Sequence, residues 1–195
     1  VLEGTGVIGD AFTITSNGTV INVYYVEDSK YGYTVEYYVA GSFLTSVTPE
    51  ETFYEGDTID TVNKELHMPV GYLVEKVVWG NADDADSLTI SSTEADNVIK
   101  VYYIAAEGTL FTVEHYKQLD DGTYPADPDD KEDKAGTTGA IVLAETYVKS
   151  YTGYQYSPNA AGSVTSAPIS GDGTTVLKLY YEQDLAPLNV KHYYG

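Results

Sequence analysis

Residues 33–38 read Tyr-Thr-Val-Glu-Tyr-Tyr, and residues 111–116, 78 positions later, read Phe-Thr-Val-Glu-His-Tyr. A second sequence recurs at the same distance, since Asn-Val-Ile-Lys-Val-Tyr-Tyr at 97–103 returns as Thr-Val-Leu-Lys-Leu-Tyr-Tyr at 175–181. Self-similarity at a fixed period is the signature of a tandem array, in which each repeat is one structural unit. The chain is therefore predicted to contain the same folding unit more than once.

The period divides the chain into two whole repeats flanked by parts of two others. Residues 30–107 form the first whole repeat, and residues 108–187 form the second. Residues 1–29 are expected to be the C-terminal part of a preceding repeat, because the closing sequence occurs there at 19–25. Residues 188–195 are expected to be the first strand of a following repeat. We therefore expect a segment of a longer protein, folded as an elongated array of small units with short linkers.

Alternation of aromatic or β-branched residues with polar ones indicates strands throughout the first repeat. These strands are predicted at 33–39, 43–47, 71–79, 88–90 and 97–104. One helix is predicted from Asp57 to Leu66, since Asp57 suits an N-cap and Ile59, Val62 and Leu66 lie on one helical face. The order indicates an α+β fold dominated by β-structure, with two tandem β-grasp-like (ubiquitin-like) modules.

The opening and closing strands of each repeat carry matched polar side chains. If these two strands are neighbours, as in a β-grasp, Glu36 faces Lys100 and Glu114 faces Lys178. Cross-strand pairs of opposite charge contribute about 0.2–1 kcal/mol each. The Glu and Lys positions are therefore predicted to pair across the sheet of each whole repeat.

The same register places two pairs of tyrosines on the exposed side of the sheets, namely Tyr38 with Tyr102 and Tyr116 with Tyr180. One interpretation is that these rings only stabilise the sheet, because aromatic residues favour strands. The other is that they form a stacking surface for a sugar ring. The four tyrosines are accordingly the candidate ligand-binding residues.

The composition excludes several classes of partner. The chain has 30 acidic residues against 10 lysines and no arginine, which gives a formal net charge of −20. This charge repels nucleic acid and anionic membrane surfaces. The sequence has no cysteine and no run of 18 apolar residues, so neither disulfides nor a membrane-spanning helix is predicted.

The densest group of carboxylates lies in the second repeat. Its candidate calcium ligands are Asp120, Asp121, Asp127, Asp129 and Asp130. Clustered carboxylate oxygens suit Ca²⁺, but the spacing is not that of an EF-hand and lysines interrupt the group. The alternative interpretation is a flexible, solvated hairpin loop. No other cofactor is expected.

No arrangement of residues indicates catalysis. The histidines are His67, His115 and His192, and Tyr37 stands where the second repeat has His115. A tyrosine at the equivalent position indicates packing or hydrogen bonding and not a general base. The chain also lacks a Gly-x-Ser-x-Gly elbow and nucleotide-binding glycine motifs. We predict that the protein is not an enzyme.

The strand ends and turns resemble a known family. Three features are similar to MucBP-type (mucin-binding protein) tandem repeats of Gram-positive surface adhesins. They are the Val-x-Tyr-Tyr and His-Tyr strand ends, the Gly-Tyr pairs at 71–72 and 153–154, and the closing Thr-Val-x-x-x-Tyr-Tyr at 175–181. The resemblance implies a β-grasp-like fold in a secreted, cell-wall-attached protein that adheres to host mucin glycans or a matrix protein. It implies no catalytic residues.

Two functions follow as alternatives. The repeats either bind mucin, glycan or matrix ligands themselves, or they act as a structural stalk that presents a distal domain and binds no ligand. In both cases the expected location is extracellular, and the neighbouring repeats of the same chain are expected partners.

Overall fold

The computed structural model describes residues 28–82, residues 85–184, and residues 191, 193 and 194. The predicted closing strand at 19–25 lies outside the described residues, as do most of the predicted opening strand at 188–195 and His192.

Strands dominate the described part of the chain. The first unit consists of β1 (Lys30–Tyr31), β2 (Thr34–Val39), β3 (Ser42–Val47), β4 (Phe53–Tyr54), β5 (Thr58–Ile59), β6 (Tyr72–Trp79), β7 (Leu88–Thr89) and β8 (Val98–Ala105). The second unit consists of β9 (Thr109–Lys117), β10 (Asp130–Gly136), β11 (Ile141–Leu143), β12 (Tyr154–Tyr156), β13 (Ser166–Pro168) and β14 (Val176–Gln183). The helical segments there are two 3-10 turns, Glu94–Asp96 and Ala144–Tyr147. In this part of the chain no helix has the length and apolarity needed to cross a membrane.

Each unit is built around a four-stranded sheet with the same topology. The first sheet has the order β3-β2-β8-β6, and the second has the order β10-β9-β14-β12. In both, the opening strand pairs in parallel with the closing strand, and the two outer strands pair antiparallel to these central strands. The prediction that opening and closing strands are neighbours is therefore confirmed.

The predicted register between the central strands is also confirmed. Glu36 is aligned with Lys100 across β2 and β8, and Glu114 is aligned with Lys178 across β9 and β14. The Lys178 ammonium lies 3.9 Å from Glu114 Oε2. The alternation that predicted these strands also divides the side chains between an inner and an outer face of each sheet.

The inner faces carry the two hydrophobic cores. The buried residues of the first core are Val35, Tyr37, Ile59, Trp79, Leu88, Ile90, Ile99, Val101 and Tyr103. Those of the second are Phe111, Val113, Ala144, Ile169, Leu177, Leu179 and Tyr181. The two cores are separate clusters, and in each the closing strand contributes three alternate residues.

The predicted helix from Asp57 to Leu66 is wrong. This segment contains the short strand β5, in which Ile59 pairs with Leu88 of β7, followed by irregular backbone and turns. Asp57 does not cap a helix, because its carboxylate accepts a 2.8 Å hydrogen bond from the backbone N–H of Tyr54 within a turn. The β-branched residues of the segment favour extended backbone, and tertiary pairing with β7 overrides the helical pattern.

The two units touch through a close backbone contact. A Cβ added at Gly71 would lie 2.3 Å from Cα of Gly171, and one added at Gly171 would lie 2.0 Å from the Val70 carbonyl oxygen. The Thr138 backbone N–H donates a 3.0 Å hydrogen bond to the Ala106 carbonyl beside this contact. The absence of side chains at both glycines therefore allows the backbones to approach.

Candidate binding face

The first tyrosine pair consists of Tyr38 on β2 and Tyr102 on β8. These residues are aligned across the parallel strands, and their rings stack with centroids 4.9 Å apart and planes at 19°. Phe43 lies nearly perpendicular to Tyr38 at 5.7 Å. On the other side of the pair, the Lys76 ammonium lies 5.1 Å from the centroid of the Tyr102 ring. The strand register thus brings together the first two predicted site residues.

Exposed apolar side chains surround the first tyrosine pair. Phe43 is 59 % exposed, Leu73 is 56 % exposed and Ile104 is 48 % exposed. All three share the outer face of the first sheet, because Phe43 is aligned with Tyr38 and Leu73 with Ile104. We call Tyr38, Phe43, Leu73, Tyr102 and Ile104 the open face. Single exposed apolar residues are common, but a contiguous group indicates a contact surface.

The tyrosine hydroxyls of the opening strands are held by neighbouring glutamates. The Tyr38 hydroxyl donates a 2.7 Å hydrogen bond to Glu36 Oε2, and this bond is the largest cause that raises the pKa of Tyr38 to about 12. The Tyr116 hydroxyl donates a 2.7 Å bond to Glu114 Oε2 in the same way, and burial followed by this bond raises the pKa of Tyr116 above its usual value. Both phenols therefore remain neutral at physiological pH.

The second tyrosine pair consists of Tyr116 on β9 and Tyr180 on β14. Its rings stack with centroids 4.8 Å apart and planes at 13°, as in the first pair. The prediction that this pair is exposed is wrong, since Tyr116 is 4 % exposed and Tyr180 is 9 % exposed. Tyr124 packs perpendicular to Tyr180 at 4.7 Å, and a Cβ at Gly162 would lie 2.9 Å from the Tyr180 hydroxyl. The loop between β9 and β10, through Tyr124, and the segment around Gly162 between β12 and β13 therefore cover the second pair.

Several residues of these two sites were missed by the sequence prediction. Leu73 and Lys76 lie on β6, where the strand prediction was correct but the face of each side chain was not assigned. A β-bulge between Val74 and Lys76 shifts the pairing of β6, so simple alternation fails there. Tyr124 lies in a loop, and its contact with Tyr180 has no signal in strand periodicity.

The predicted calcium ligands do not converge in the structure. Four of the five aspartates have separate partners, which are Gln183 for Asp120, Thr123 for Asp121, Lys117 for Asp129 and Lys149 for Asp130. Among the described residues, no group of three or more His, Asp or Glu side chains is arranged to hold a metal ion. Calcium binding through Asp120, Asp121, Asp127, Asp129 and Asp130 thus remains a prediction without support from this geometry.

The acidic segment is also not wholly a flexible hairpin loop. Asp130 begins strand β10, which pairs with β9 through Gly136. Its inward side chains are charged and form a cluster, since Lys149 Nζ lies 2.6 Å from Asp130 Oδ2 and also contacts Glu132. Hydrogen bonds to Lys134 and then to Lys149 lower the pKa of Glu132 to about 2. A salt-bridged strand thus stands where a solvated loop was expected.

His115, the only fully buried histidine among the described residues, is surrounded by packing and hydrogen-bonding partners. Nδ1 of His115 lies 2.9 Å from the Tyr181 hydroxyl, and Nε2 lies 3.3 Å from Glu132 Oε1. In the first unit the equivalent Tyr37 donates a 3.1 Å hydrogen bond to the Asn63 carbonyl. Both side chains link a strand to the packing beneath the sheet, which agrees with the predicted packing role of this position.

No protein-family model matches the chain, and no curated protein matches it. Among solved structures, the chain is similar to the type 2 repeat of the mucus binding protein MUB from Lactobacillus reuteri, with 12 % identity, coverage of 79 % of this chain and 100 % of that chain, and a TM-score of 0.26. It is also similar to Mub-RV, with 12 % identity, coverage of 80 % and 100 %, and a TM-score of 0.24. Likeness at these TM-scores carries no argument about function. The first of these two neighbours is a repeat of a mucus binding protein.

Proposed function

We propose that the chain is an extracellular adhesion segment of a bacterial surface protein, and that the open face binds a sugar ring of a host mucin glycan or matrix ligand. The observation that carries the proposal is the half-buried first tyrosine pair on the outer face of the sheet, surrounded by exposed Phe43, Leu73 and Ile104. Export and attachment to the cell wall are parts of the same proposal. They are supported by the repeat pattern, which resembles that of surface adhesins.

The chemistry of the open face suits a saccharide. Pyranose rings have an apolar C–H face and a polar rim, and aromatic side chains provide flat apolar area with a polar tip. Tyr38 covers one face of the Tyr102 ring, and the ammonium of the exposed Lys76 lies over the remaining ring surface. A sugar that packs on Tyr102 displaces this flexible lysine, which then offers a hydrogen bond to the sugar rim. The Glu36 carboxylate is a nearby acceptor for sugar hydroxyls.

We also infer that each unit is a β-grasp-like module. The inference is supported by the parallel pairing of opening and closing strands in both four-stranded sheets, with the hairpin partner on one side and the middle strand on the other. The predicted helix is replaced by the short strand β5, followed by irregular backbone and turns. The domain boundaries at 30–107 and 108–187 remain part of this proposal.

A structural stalk is the second candidate function. It is favoured by the close contact between Gly71 and Gly171, which joins consecutive units without a long linker. It is also favoured by the burial of the second tyrosine pair, which leaves one of the two predicted binding surfaces covered.

Binding to immobilised gastric mucin tests the two candidates. We expect saturable binding by the wild-type chain and a loss of about tenfold in affinity for Tyr102→Ala, since an aromatic contact contributes about 0.5–1.5 kcal/mol. Tyr54→Ala is the matched control, because Tyr54 is also a surface tyrosine with a lysine ammonium over its ring, 4.9 Å away, but lies outside the open face. Absence of saturable binding by the wild type would favour the stalk.

A further inference from the structure

We propose that Tyr124 closes a second sugar-binding site in the second unit, built on Tyr116 and Tyr180. The proposal rests on the proposed function of the first tyrosine pair and adds a regulation of the equivalent site. The chain then has one open site and one covered site, and Tyr124, on the loop between β9 and β10, is the aromatic part of the cover.

The two tyrosine pairs have the same strand positions, the same register, nearly the same stacking distance and the same hydrogen bond to a glutamate. Both lie on the opening and closing strands in parallel register, and both stack with centroids 4.8–4.9 Å apart. In both, the tyrosine of the opening strand donates a 2.7 Å hydrogen bond to the glutamate two residues before it. The second pair therefore has the same stacking surface as the first, apart from what covers it.

The cover differs between the two pairs. Tyr102 has an exposed lysine over its remaining ring surface, whereas Tyr180 has the ring of Tyr124 at 4.7 Å and 80°. Tyr116 already stacks on one face of Tyr180, and Gly162 lies against its hydroxyl end. Tyr124 therefore occupies ring surface that a sugar would need. An aromatic cover is harder to displace than a solvated lysine, so a sugar would bind the second pair only when Tyr124 moves away.

The loop that carries Tyr124 is attached to the end of β14 by polar contacts of Gln183. The Gln183 side chain donates a 3.0 Å hydrogen bond to Asp120 Oδ1, and the Gln183 backbone N–H donates a 3.2 Å bond to Gln118 Oε1. The Tyr124 hydroxyl is buried without a hydrogen-bond partner among the described residues. A buried hydroxyl without a partner loses its hydrogen bond to water, and opening the loop restores that bond. This lost hydrogen bond destabilises the closed loop relative to the open one.

A sugar titration followed by NMR signals of the tyrosine rings tests the proposal, with N-acetyllactosamine as the probe. In the wild type we expect saturable shifts for Tyr102 and none for Tyr180. In Tyr124→Ser we expect saturable shifts for both rings, so that the number of sites rises from one to two. Leu119→Ala is the matched control, because Leu119 is an exposed residue of the same loop, and it should leave one site.

A second variant distinguishes opening of the loop from loss of the folded structure. Gln183→Ala removes the side-chain bond to Asp120 while retaining Tyr124, and we expect a partial response at Tyr180 with unchanged core signals from Tyr181. Shifts at Tyr102 without any at Tyr180 in Tyr124→Ser would overturn the second site and leave the proposed function intact. Absence of shifts at both rings in every variant would overturn the proposed function and the second site with it.

Discussion

The hydroxyl of Tyr181 lies 2.9 Å from Nδ1 of the buried His115 and accepts a 3.0 Å hydrogen bond from the backbone N–H of Lys149. Because Nε2 faces the Glu132 carboxylate, which only accepts, the neutral imidazole carries its proton on Nε2, and Nδ1 accepts the bond from the Tyr181 hydroxyl. Burial, followed by the Lys149 cation, lowers the pKa of His115, while Glu132 opposes this shift. The second core thus requires an uncharged histidine.

The lowered pKa of His115 predicts a pH dependence of stability. The unfolded chain takes up a proton near pH 6.5 that the folded chain takes up only at lower pH, so the free energy of unfolding falls as pH decreases below about 6.5. One such group changes stability by at most about 1.4 kcal/mol per pH unit. We expect His115→Gln to reduce the change of the free energy of unfolding with pH, measured by urea unfolding between about pH 4.5 and about pH 6.5. His67→Gln is the control, and an unchanged slope in His115→Gln would contradict the prediction.

Asn97 is predicted to be a strong determinant of stability in the first unit. Its buried side chain accepts a 2.8 Å hydrogen bond from Ser91 N–H and donates to the carbonyls of Ser91 and Gly32, at 2.8 and 3.2 Å. Asn97→Ala should lower the free energy of unfolding by about 2–4 kcal/mol, because buried backbone groups lose their partners.

The equivalent residue of the second unit supplies the matched variant. Thr175 accepts from the Ser170 N–H at 2.8 Å and donates to the Pro168 carbonyl at 3.0 Å. Asn97→Thr can keep the two bonds within the loop and lose only the bond to Gly32, so it should cost about 1 kcal/mol. Equal destabilisation by Asn97→Ala and Asn97→Thr in chemical unfolding would show that these bonds are not the cause.

The two tyrosine pairs should differ in their contribution to stability. Tyr180 is buried between Tyr116 and Tyr124, so Tyr180→Ala should cost about 3–5 kcal/mol, as for other buried aromatic residues. Tyr102 is partly exposed, and Tyr102→Ala should cost about 1 kcal/mol. Chemical unfolding of both variants measures the difference, and similar losses would mean that the open face is packed as tightly as the covered one.

The close contact between the units predicts that Gly171 tolerates no side chain. In Gly171→Ala the new Cβ would lie 2.0 Å from the Val70 carbonyl oxygen, so the backbones must separate and the relative orientation of the units should change. Residual dipolar couplings of the two sheets measure this orientation. Gly32→Ala is the control, because a Cβ there has no neighbour within 4 Å. An unchanged orientation in Gly171→Ala would show that this contact does not set the geometry.

The strand register was predictable from the sequence because local pattern and pairing agree. The alternation in 33–38 and 97–103 separates Glu36 and Lys100 from the apolar residues. Once the two strands are neighbours, as in a β-grasp, the two charges face each other. The segment from Asp57 to Leu66 shows the opposite case. Its apolar spacing fits a helix, but its β-branched residues and the available partner β7 favour extended backbone.

The burial of the second tyrosine pair was not predictable from strand pattern. Tyr116 and Tyr180 occupy outer-face positions, and a loop of different length in the first unit leaves the equivalent pair open. The covering residue Tyr124 comes from a connection whose path depends on side-chain bonds to Gln183. Loop conformation of this kind depends on contacts distant in sequence, which periodicity does not encode.

Parallel alignment of β2 with β8, and of β9 with β14, has a mechanical consequence. The chain enters each unit at one end of the central pair and leaves at the opposite end. Tension applied along the polypeptide therefore pulls these two strands past each other, and the hydrogen bonds between them bear the load together instead of breaking one after another. The strand arrangement of each unit is thus one that resists a pulling force along the chain.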